Sequence, residues 1–366
     1  MRSRRWKIAF AGLGAAARTI HLPAYRRLAN AEVVAGCDPE VRPGTFSFPT
    51  FDSLDAMLDR ARPDLLVVAS PPATHFEATR QGLEAGCHVL CEKPFMPTLD
   101  EARRIVALAA QVDRRVAVNQ QYRFMNIHRE PRRLCGSSEF GELLFVSARQ
   151  TFRMDAATEA GWRGQDRQRT CKEFGIHVLD LCRFLFDADP LRMVARMPRP
   201  RGAAEPDLLD LIQLDFPGDR SAEISLDRLT RGRHSYLELR LDGSRASIET
   251  RLGGGIELGF GIRGGSRRPF VDLDLSMGGR ARLYRGERYR KIATDPLAVF
   301  SRATSRLMAA YLVALERDEP PPCEGADNLR SLALMLAAYE SDRLGTPMEL
   351  DPESDAHWRP AGTDTA

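Results

Sequence analysis

Two side chains with acid–base chemistry, Glu173 and His177, lie four residues apart in the sequence. On a helix they would share one face, and an imidazole placed there could take a hydroxyl proton or return it. The competing interpretation is that His177 is a buried structural histidine. A metal site is not indicated, because Cys171 and His177 have no second pair of ligands to complete a tetrahedral set.

A glycine-rich turn near the N-terminus has the pattern that binds dinucleotide phosphates. The turn reads Gly12-Leu13-Gly14-Ala15-Ala16-Ala17 and follows the apolar run Trp6–Ala11. Gly12 permits a tight turn, and Gly14 permits close backbone approach to a pyrophosphate, whose charge the following helix N-terminus favours.

A second predicted strand, residues 31–37, ends at Asp38. A carboxylate there suits the ribose hydroxyls and repels a 2′-phosphate, so NAD is expected and NADP is less favoured. Two alternatives stay open: Asp38 is an exposed turn residue, or Arg42 neutralises a phosphate.

The full GxGxxG spelling occurs again at residues 259–264. Ser266, Arg267, Arg268 and Pro269 follow it, where a helix should start. We therefore interpret this second match as a glycine-rich loop in a sheet domain.

Short strands and helices alternate over the first 120 residues, which predicts a doubly wound parallel sheet. After Asp38, Pro39, Pro43 and Gly44 break the segment, so a short loop replaces the expected helix. Residues 70–72, 92–93 and 120–121 each follow a predicted strand. They are therefore expected at the carboxyl edge of the sheet, where ligands bind.

With 366 residues, the chain is expected to form two domains. We predict a Rossmann domain at 1–125, a second domain with a mostly antiparallel sheet at 126–350, and a loosely ordered polar tail at 351–366. The fold class is thus α/β followed by α+β.

Composition excludes several classes of protein. The net charge is only +3, with 53 basic and 50 acidic residues, and no basic block indicates a nucleic-acid partner. Seven cysteines without a CxxC pair favour neither disulfides nor zinc. No apolar run reaches the roughly 20 residues of a membrane span, and the N-terminal apolar run suits a strand better than a secretory signal. We expect a cytoplasmic protein without a membrane partner.

Taken together, the motifs make the chain resemble the Gfo/Idh/MocA oxidoreductase family. The matching segments are Gly12-Leu-Gly14, His21-Leu-Pro-Ala24, Cys37-Asp38-Pro39, Ser70-Pro-Pro-Ala-Thr-His75, Glu84-Ala-Gly86, Glu92-Lys93-Pro94, Gln121-Tyr-Arg-Phe124, Gly141-Glu142, Trp162-Arg163 and Gly175-Ile-His177 with Asp180. Their order covers the first ~190 residues, and residues 328–345 resemble the family's final helix.

The resemblance implies an NAD(P)-dependent dehydrogenase or reductase acting on CH–OH groups of a sugar, cyclitol or related metabolite. It implies that Lys93 contacts the substrate oxygen and assists proton transfer, with His177 and Glu173 as further catalytic candidates. The implied cofactor contacts are Gly12, Leu13, Gly14, Ala15, Ala16, Asp38, Ser70, Pro71, His75, Glu92, Lys93, Gln121, Trp162 and Arg163. The implied substrate contacts are Lys93, Tyr122, Arg123, Glu173 and His177.

The sequence also departs from the family at the predicted substrate side. Glu173 stands where the family usually has Asp, and residues 168–172 replace an expected glycine-rich turn. Arg123 could equally form an ion pair, Trp162 could pack in the core, and Asp180 suits a structural role. Two other functions stay open: a lyase or glycosidase that uses NAD transiently, and a cofactor-binding sensor. The resemblance further implies a homo-oligomer, dimer or tetramer, formed through the C-terminal sheet.

Overall fold

The computed structural model describes residues 4–42, 44–153, 166–200, 202, 205–232, 235–262, 269–351 and 357–362. The predicted site residues Trp162 and Arg163 lie outside these ranges. The chain divides into two compact units. Unit 1 contains Met1–Phe124 and Phe300–Ala333, and unit 2 contains Met125–Val299 and Leu334–Ala366.

The elements are named in chain order. The strands are β1 (Trp6–Ala11), β2 (Ala31–Cys37), β3 (Thr50–Phe51), β4 (Leu65–Val68), β5 (His88–Cys91), β6 (Val116–Val118), β7 (Leu143–Thr151), β8 (Arg192–Arg196), β9 (Leu209–Phe216), β10 (Arg220–Asp227), β11 (Ser235–Gly243), β12 (Ser247–Leu252), β13 (Gly255–Ile262), β14 (Pro269–Ser276), β15 (Gly279–Arg285), β16 (Arg288–Asp295), β17 (Met348–Asp351) and β18 (His357–Pro360). The α-helices are α1 (Leu22–Tyr25), α2 (Leu54–Ala61), α3 (His75–Glu84), α4 (Leu99–Gln111), α5 (Asn126–Leu134), α6 (Ile176–Phe186), α7 (Val299–Glu316) and α8 (Gly325–Leu344).

Unit 1 is built on a parallel sheet with the strand order β3-β2-β1-β4-β5-β6. All of β4 and most of β1 are buried, as expected of strands covered on both faces. This strand order is the doubly wound arrangement of dinucleotide-binding domains, so the predicted fold class is confirmed.

The helices of unit 1 begin where local sequence signals place them. Ser53 caps α2 by accepting a hydrogen bond from the Ala56 N–H. Thr98 and Glu101, a pair whose types and spacing suit a capping box, form one at the start of α4. Among the described residues between β2 and β3, the chain forms turns and bends instead of a helix.

Helix α7 follows the second sheet in sequence, yet its side chains belong to the core of unit 1. Its buried apolar face packs with Trp6, Ile8 and Phe10 of β1 through Leu307, Met308, Tyr311 and Leu312. The Tyr311 hydroxyl donates to the backbone oxygens of Val89 and Arg115. Residues 300–333 therefore belong to unit 1, although the sequence analysis assigned 126–350 to the second domain.

Unit 2 is built on a ten-stranded sheet with the order β16-β15-β12-β11-β7-β10-β9-β8-β17-β18. Its pairs are antiparallel except β7–β10, so the predicted mostly antiparallel sheet is confirmed. Burial alternates along β9, β11 and β12, which places one face of the sheet against a core.

Two expectations for unit 2 are corrected. The second glycine motif does not start in a loop, because residues 259–262 belong to β13, which pairs with β14 in a separate hairpin. The polar tail is not loosely ordered throughout, because β18 pairs with β17 at the edge of the large sheet. The polar tail can form a strand because main-chain hydrogen bonds hold it, and polar side chains suit an exposed edge strand.

None of the helices in the described part of the chain combines the length and apolar character needed to cross a membrane. Within the same residues, no group of three or more His, Cys, Asp or Glu side chains could hold a metal ion. All seven cysteines are free thiols, and six of them are buried.

Candidate functional site

The glycine turn of unit 1 is shaped by close backbone packing. Gly12 has φ +93°, and a Cβ at this position would lie 2.5 Å from the backbone nitrogen of Ser70. Its N–H donates to the Cys37 oxygen of β2 at 2.8 Å. At Gly14, by contrast, an added Cβ would meet nothing within 4 Å, so its backbone borders open space. A π-helical turn, Ala17–His21, follows Ala15 and Ala16.

Asp38 lies at the end of β2 and its carboxylate faces the glycine turn. Oδ2 accepts a hydrogen bond from the Leu13 N–H at 2.8 Å, and Oδ1 accepts one from the Glu40 N–H at 3.0 Å. The carboxylate is therefore held by two backbone donors next to the turn predicted to bind a pyrophosphate.

His75 connects two of the loops at the carboxyl edge of the sheet. The imidazole is fully buried, with Nε2 3.0 Å from the Ser70 oxygen and Nδ1 2.9 Å from the Pro94 oxygen. Burial lowers the pKa of His75, although the backbone carbonyls oppose this shift. The Ser70–Pro71 segment is thereby tied to the segment that carries Lys93. Direct contact of these residues with a cofactor stays a prediction.

Glu92 is the centre of a buried polar network. Its Oε1 lies 2.7 Å from both the His21 Nε2 and the Asn119 Nδ2, and the Lys93 N–H donates to its Oε2 at 3.2 Å. The Tyr25 hydroxyl lies 3.0 Å from the other ring nitrogen of His21. Burial would raise the pKa of Glu92, but His21, Lys93 and Asn119 together lower it to about 2.

Lys93 is separated from the end of β5 by Glu92 alone, and it is partly exposed. The carboxylate of Glu92 is thus ionised beside it, and contributes a favourable Coulombic interaction with the Lys93 ammonium. The His21 and Asn119 contacts were not foreseen from sequence. His21 lies in a quoted family motif, but its partner is 71 residues away.

The residues after β6 are more buried than a substrate-contacting loop would require. Gln121 is buried, and its Oε1 accepts no hydrogen bond from any described residue. Tyr122 is buried against Phe300, with ring centroids 6.0 Å apart. Arg123 Nη2 lies 3.0 Å from Asp327 Oδ2, so the ion-pair alternative applies to this residue. The proposed substrate roles of Tyr122 and Arg123 stay predictions.

The acid–base pair of unit 2 lies on one continuous helical segment. A π-helical turn, Cys171–Gly175, contains Glu173 and leads into α6, where His177 is the second residue. Gly175 allows this turn to pack closely on β10, because an added Cβ would lie 2.9 Å from Leu226 Cδ1. Turns of π-helix occur often at functional sites. Asp180 is fully buried and lies 3.9 Å from Arg183 one turn along, which suits its predicted structural role.

Glu173 is flanked by two buried arginines that sequence reasoning did not single out. Arg228 Nη2 donates to Glu173 Oε2 at 3.3 Å, and Arg169 Nε lies 3.6 Å from Oε1. The Arg228 guanidinium also stacks 4.2 Å from the ring centre of Phe174. Burial lowers the pKa of Arg228, while Glu173 opposes that shift. The family's Asp is thus replaced by a longer carboxylate held in a cationic environment.

The fold and the glycine turn define a Rossmann-type oxidoreductase. Residues 6–120 match the family described as "Oxidoreductase family, NAD-binding Rossmann fold". Residues 128–249 match the "GFO/IDH/MocA C-terminal domain". The chain belongs to the Gfo/Idh/MocA oxidoreductase family, as its motifs predicted, and contains the NAD(P)-binding Rossmann domain of that family.

The individual relatives that the chain matches have low sequence identity to it. The chain is 26% identical to a D-apiose dehydrogenase of Paraburkholderia graminis, over 95% of this chain and 90% of that protein. It is 28% identical to the D-glucoside 3-dehydrogenase of Escherichia coli, over 53% of this chain and 58% of that protein. An oxidoreductase of Agrobacterium radiobacter, solved with NAD+, L-tartaric acid and magnesium, superimposes with a TM-score of 0.78 at 18% identity. That structure covers 94% of this chain and 98% of its own, and at this identity it supports the fold alone.

Proposed function

We propose that the protein transfers a hydride between NAD and a secondary alcohol or ketone of a sugar, cyclitol or related polyhydroxylated metabolite. The observation that carries the proposal is the arrangement at the carboxyl edge of the parallel sheet. There the Gly12 turn, Asp38, Ser70 and Lys93 follow the neighbouring strands β1, β2, β4 and β5. Relatives named D-apiose dehydrogenase, D-glucoside 3-dehydrogenase and glucose-6-phosphate 3-dehydrogenase support a sugar as the substrate class.

The residues of the glycine turn fit a dinucleotide. The packed backbone at Gly12 and the open space at Gly14 leave room for phosphates at the turn. Asp38 is proposed to accept hydrogen bonds from the ribose, and its negative charge is the basis for proposing NAD over NADP. Leu13, Ala15, Ala16, Ser70, Pro71, His75, Glu92, Gln121, Trp162 and Arg163 are proposed to complete the cofactor contacts. A bound nicotinamide supplies the hydride acceptor or donor.

Lys93 is proposed to hold the substrate oxygen and to exchange a proton with it. The ionised Glu92 beside it stabilises the ammonium form, which donates a hydrogen bond to a carbonyl or alcohol oxygen. His21 and Asn119 keep Glu92 turned away from solvent, so the charge next to Lys93 is fixed in place.

His177 is proposed as a second proton-carrying group, and Glu173 as the carboxylate that orients it or binds a substrate hydroxyl. The buried guanidinium groups of Arg169 and Arg228 lie beside the Glu173 carboxylate and hold it in position. Tyr122 and Arg123 are proposed as neighbours of the substrate. Their packing against Phe300 and Asp327 would then serve to hold them in position.

We also propose a homo-oligomer formed through the ten-stranded sheet, and a cytoplasmic location. The face of β10 and β11 that carries Glu223, Glu238 and Arg240 is partly exposed in the single chain and would be available for such an interface. The seven free thiols support the cytoplasmic location, because thiols persist in a reducing compartment.

The test combines cofactor titration with turnover. NADH and NADPH binding are measured by fluorescence, and NADH formation or consumption is then followed with D-apiose, glucosides, sugar phosphates, cyclitols and their keto forms. Tight NADH binding with substrate-dependent absorbance change is the expected result. Binding without turnover of any compound would favour transient use of NAD or a sensor role, and failure to bind either cofactor would contradict the proposal.

A further inference from the structure

The helical segment that carries Glu173 and His177 begins without a cap of its own. Thr170, the residue before the π-helical turn, makes no side-chain capping hydrogen bond. The first four N–H groups of a helix have no partner inside it, and leaving them unsatisfied in a buried position is costly. Here those N–H groups belong to residues 169–172, a stretch in which Arg169, Thr170 and Cys171 are buried.

One carboxylate that is distant in sequence accepts hydrogen bonds from three of these four N–H groups. Asp207 lies just before β9 and is fully buried. Its Oδ1 accepts from the Arg169 N–H at 2.5 Å, and its Oδ2 accepts from the N–H groups of Thr170 and Cys171 at 3.0 and 3.3 Å. The Thr170 hydroxyl also donates to the Asp207 backbone oxygen.

The fourth N–H group donates its hydrogen bond to a tyrosine on another helix. The Tyr339 hydroxyl, on α8, accepts from the Lys172 N–H at 3.1 Å and donates to Asp207 Oδ2 at 2.9 Å. The carboxylate therefore faces only donors at these four contacts, an arrangement that suits its ionised form. A negative charge at a helix N-terminus is also favoured by the helix dipole.

A second buried carboxyl, Asp210, interacts electrostatically with Asp207. Burial raises the pKa of Asp210 well above its usual value, and repulsion from Asp207 adds to the shift. Burial raises the pKa of Asp207 too, and the donors from residues 169–171 and from Tyr339 only partly offset that rise. Asp207 accepts hydrogen bonds from these donors, whereas neither oxygen of Asp210 accepts one from a described residue.

We propose that Asp207 and Tyr339 are positioning residues that replace the family's glycine-rich turn and hold Glu173 and His177 in their working places. The inference rests on the proposed function, since it concerns the residues assigned there to proton transfer. Glu173 lies in the first turn of the capped segment and His177 one turn later. A displacement of about 1 Å in such groups can lower a rate by roughly 100-fold.

The experiment compares three single variants of the full chain. Asp207→Asn keeps the shape but removes one acceptor oxygen and places an amide nitrogen toward N–H donors. Tyr339→Phe removes only the hydroxyl. Asp215→Asn is the matched control, because Asp215 lies on β9, the strand that follows Asp207, its side chain is 42% exposed, and it lies 3.8 Å from Arg192 in a long ion pair. For each, kcat, KM for the sugar, NADH affinity and hydrogen exchange at the amides of residues 169–172 are measured.

Asp207→Asn is expected to lower kcat by about 10- to 100-fold and Tyr339→Phe by a smaller factor, with NADH affinity unchanged within about twofold. Both are expected to speed amide exchange at residues 169–172 relative to Asp215→Asn.

Loss of thermal stability with kcat kept at the control value would overturn the positioning role, as would unchanged exchange. If Asp207→Asn does not fold, Tyr339→Phe decides the same question. A wild-type protein that turns over no sugar contradicts the proposed function instead, and the exchange data then still decide whether the cap exists.

Discussion

The imidazole Nε2 of His21 lies 2.7 Å from Oε1 of Glu92, and both side chains are buried. The two residues are 71 positions apart in the chain, on the segment after β1 and the segment after β5. The contact lowers the pKa of Glu92, the residue that directly precedes Lys93, so an ionised carboxylate is held beside the lysine. It therefore links the electrostatics of the proposed proton-transfer lysine to a residue in the first helical segment.

Replacing Glu92 by Gln is expected to destabilise the protein near neutral pH. The pKa of Glu92 is lowered from 4.5 to about 2, so its ionised form contributes stability above pH 4.5 that is lost as the pH falls toward 2. A shift of this size corresponds to about 3 kcal/mol at most. Urea unfolding of the variant and of wild type should differ most above pH 5 and converge in acid.

The control for this variant is Glu84→Gln, which changes an exposed carboxylate paired with Arg80 on α3. Its effect is expected to stay below about 1 kcal/mol because exposed ion pairs contribute little. Equal destabilisation by the two substitutions would contradict the importance of the buried network.

Replacing Lys93 by Met is expected to abolish turnover and to leave cofactor binding intact. General acid–base groups contribute about 100- to 10,000-fold to a rate, so kcat should fall by that order. NADH affinity, measured by fluorescence, should change by less than about threefold. Lys7→Met, which alters an exposed lysine on β1, serves as the control. Turnover retained in Lys93→Met would remove this lysine from the proposed mechanism.

The two glycines of the first turn are expected to respond differently to alanine. Gly12→Ala places a Cβ 2.5 Å from the Ser70 nitrogen at φ +93°, so it should destabilise the fold by about 1 to 3 kcal/mol. Gly14→Ala meets nothing within 4 Å and should fold normally. If Gly14 borders the pyrophosphate, the second variant should still weaken NADH binding, by about tenfold. Thermal melts and NADH titration of both variants test this contrast.

The parts of the fold that could be predicted from sequence are those set by local signals. The apolar run of β1, the glycine turn after it and Asp38 after β2 are neighbours in the chain, and so are Thr98 and Glu101 of the capping box. Strand identity followed from such signals because burial on both faces requires continuous apolar residues.

The features that sequence could not predict depend on long-range contacts. An amphipathic helix such as α7 does not specify which sheet it covers, so its place in the core of unit 1 was not foreseen. The same holds for the cap on residues 169–172, since Asp207 and Tyr339 are 132 residues apart. Sequence showed only that the expected glycine-rich turn was missing, not which side chains took its place.

Replacing Asp38 by Asn is expected to relax the proposed preference for NADH over NADPH. The amide oxygen can still accept the Leu13 N–H, which keeps the contact to the glycine turn, although the bond from the Glu40 N–H is lost. The charge that repels a 2′-phosphate is removed. The ratio of NADPH to NADH dissociation constants should fall by about tenfold or more. A ratio unchanged from wild type would mean that Asp38 does not face the ribose.

Replacing His88 by Asn is expected to make the fold less sensitive to acid. Burial, and then the charges of Arg114, Arg4 and Arg115, lower the pKa of His88 to about 4. Its Nδ1 accepts a hydrogen bond from the Arg115 N–H at 3.1 Å, which a protonated ring could not do. Because the unfolded chain binds this proton near pH 6.5 and the folded chain only near pH 4, wild type loses stability as the pH falls between those values. The loss attributable to His88 is about 2 kcal/mol after allowance for its partial exposure.

Asparagine offers an acceptor oxygen in a similar place and does not titrate. Urea unfolding of both proteins at pH 7 and pH 4.5 should therefore show the smaller decrease for His88→Asn, and equal decreases would show that His88 binds its proton as readily in the folded state as in the unfolded chain.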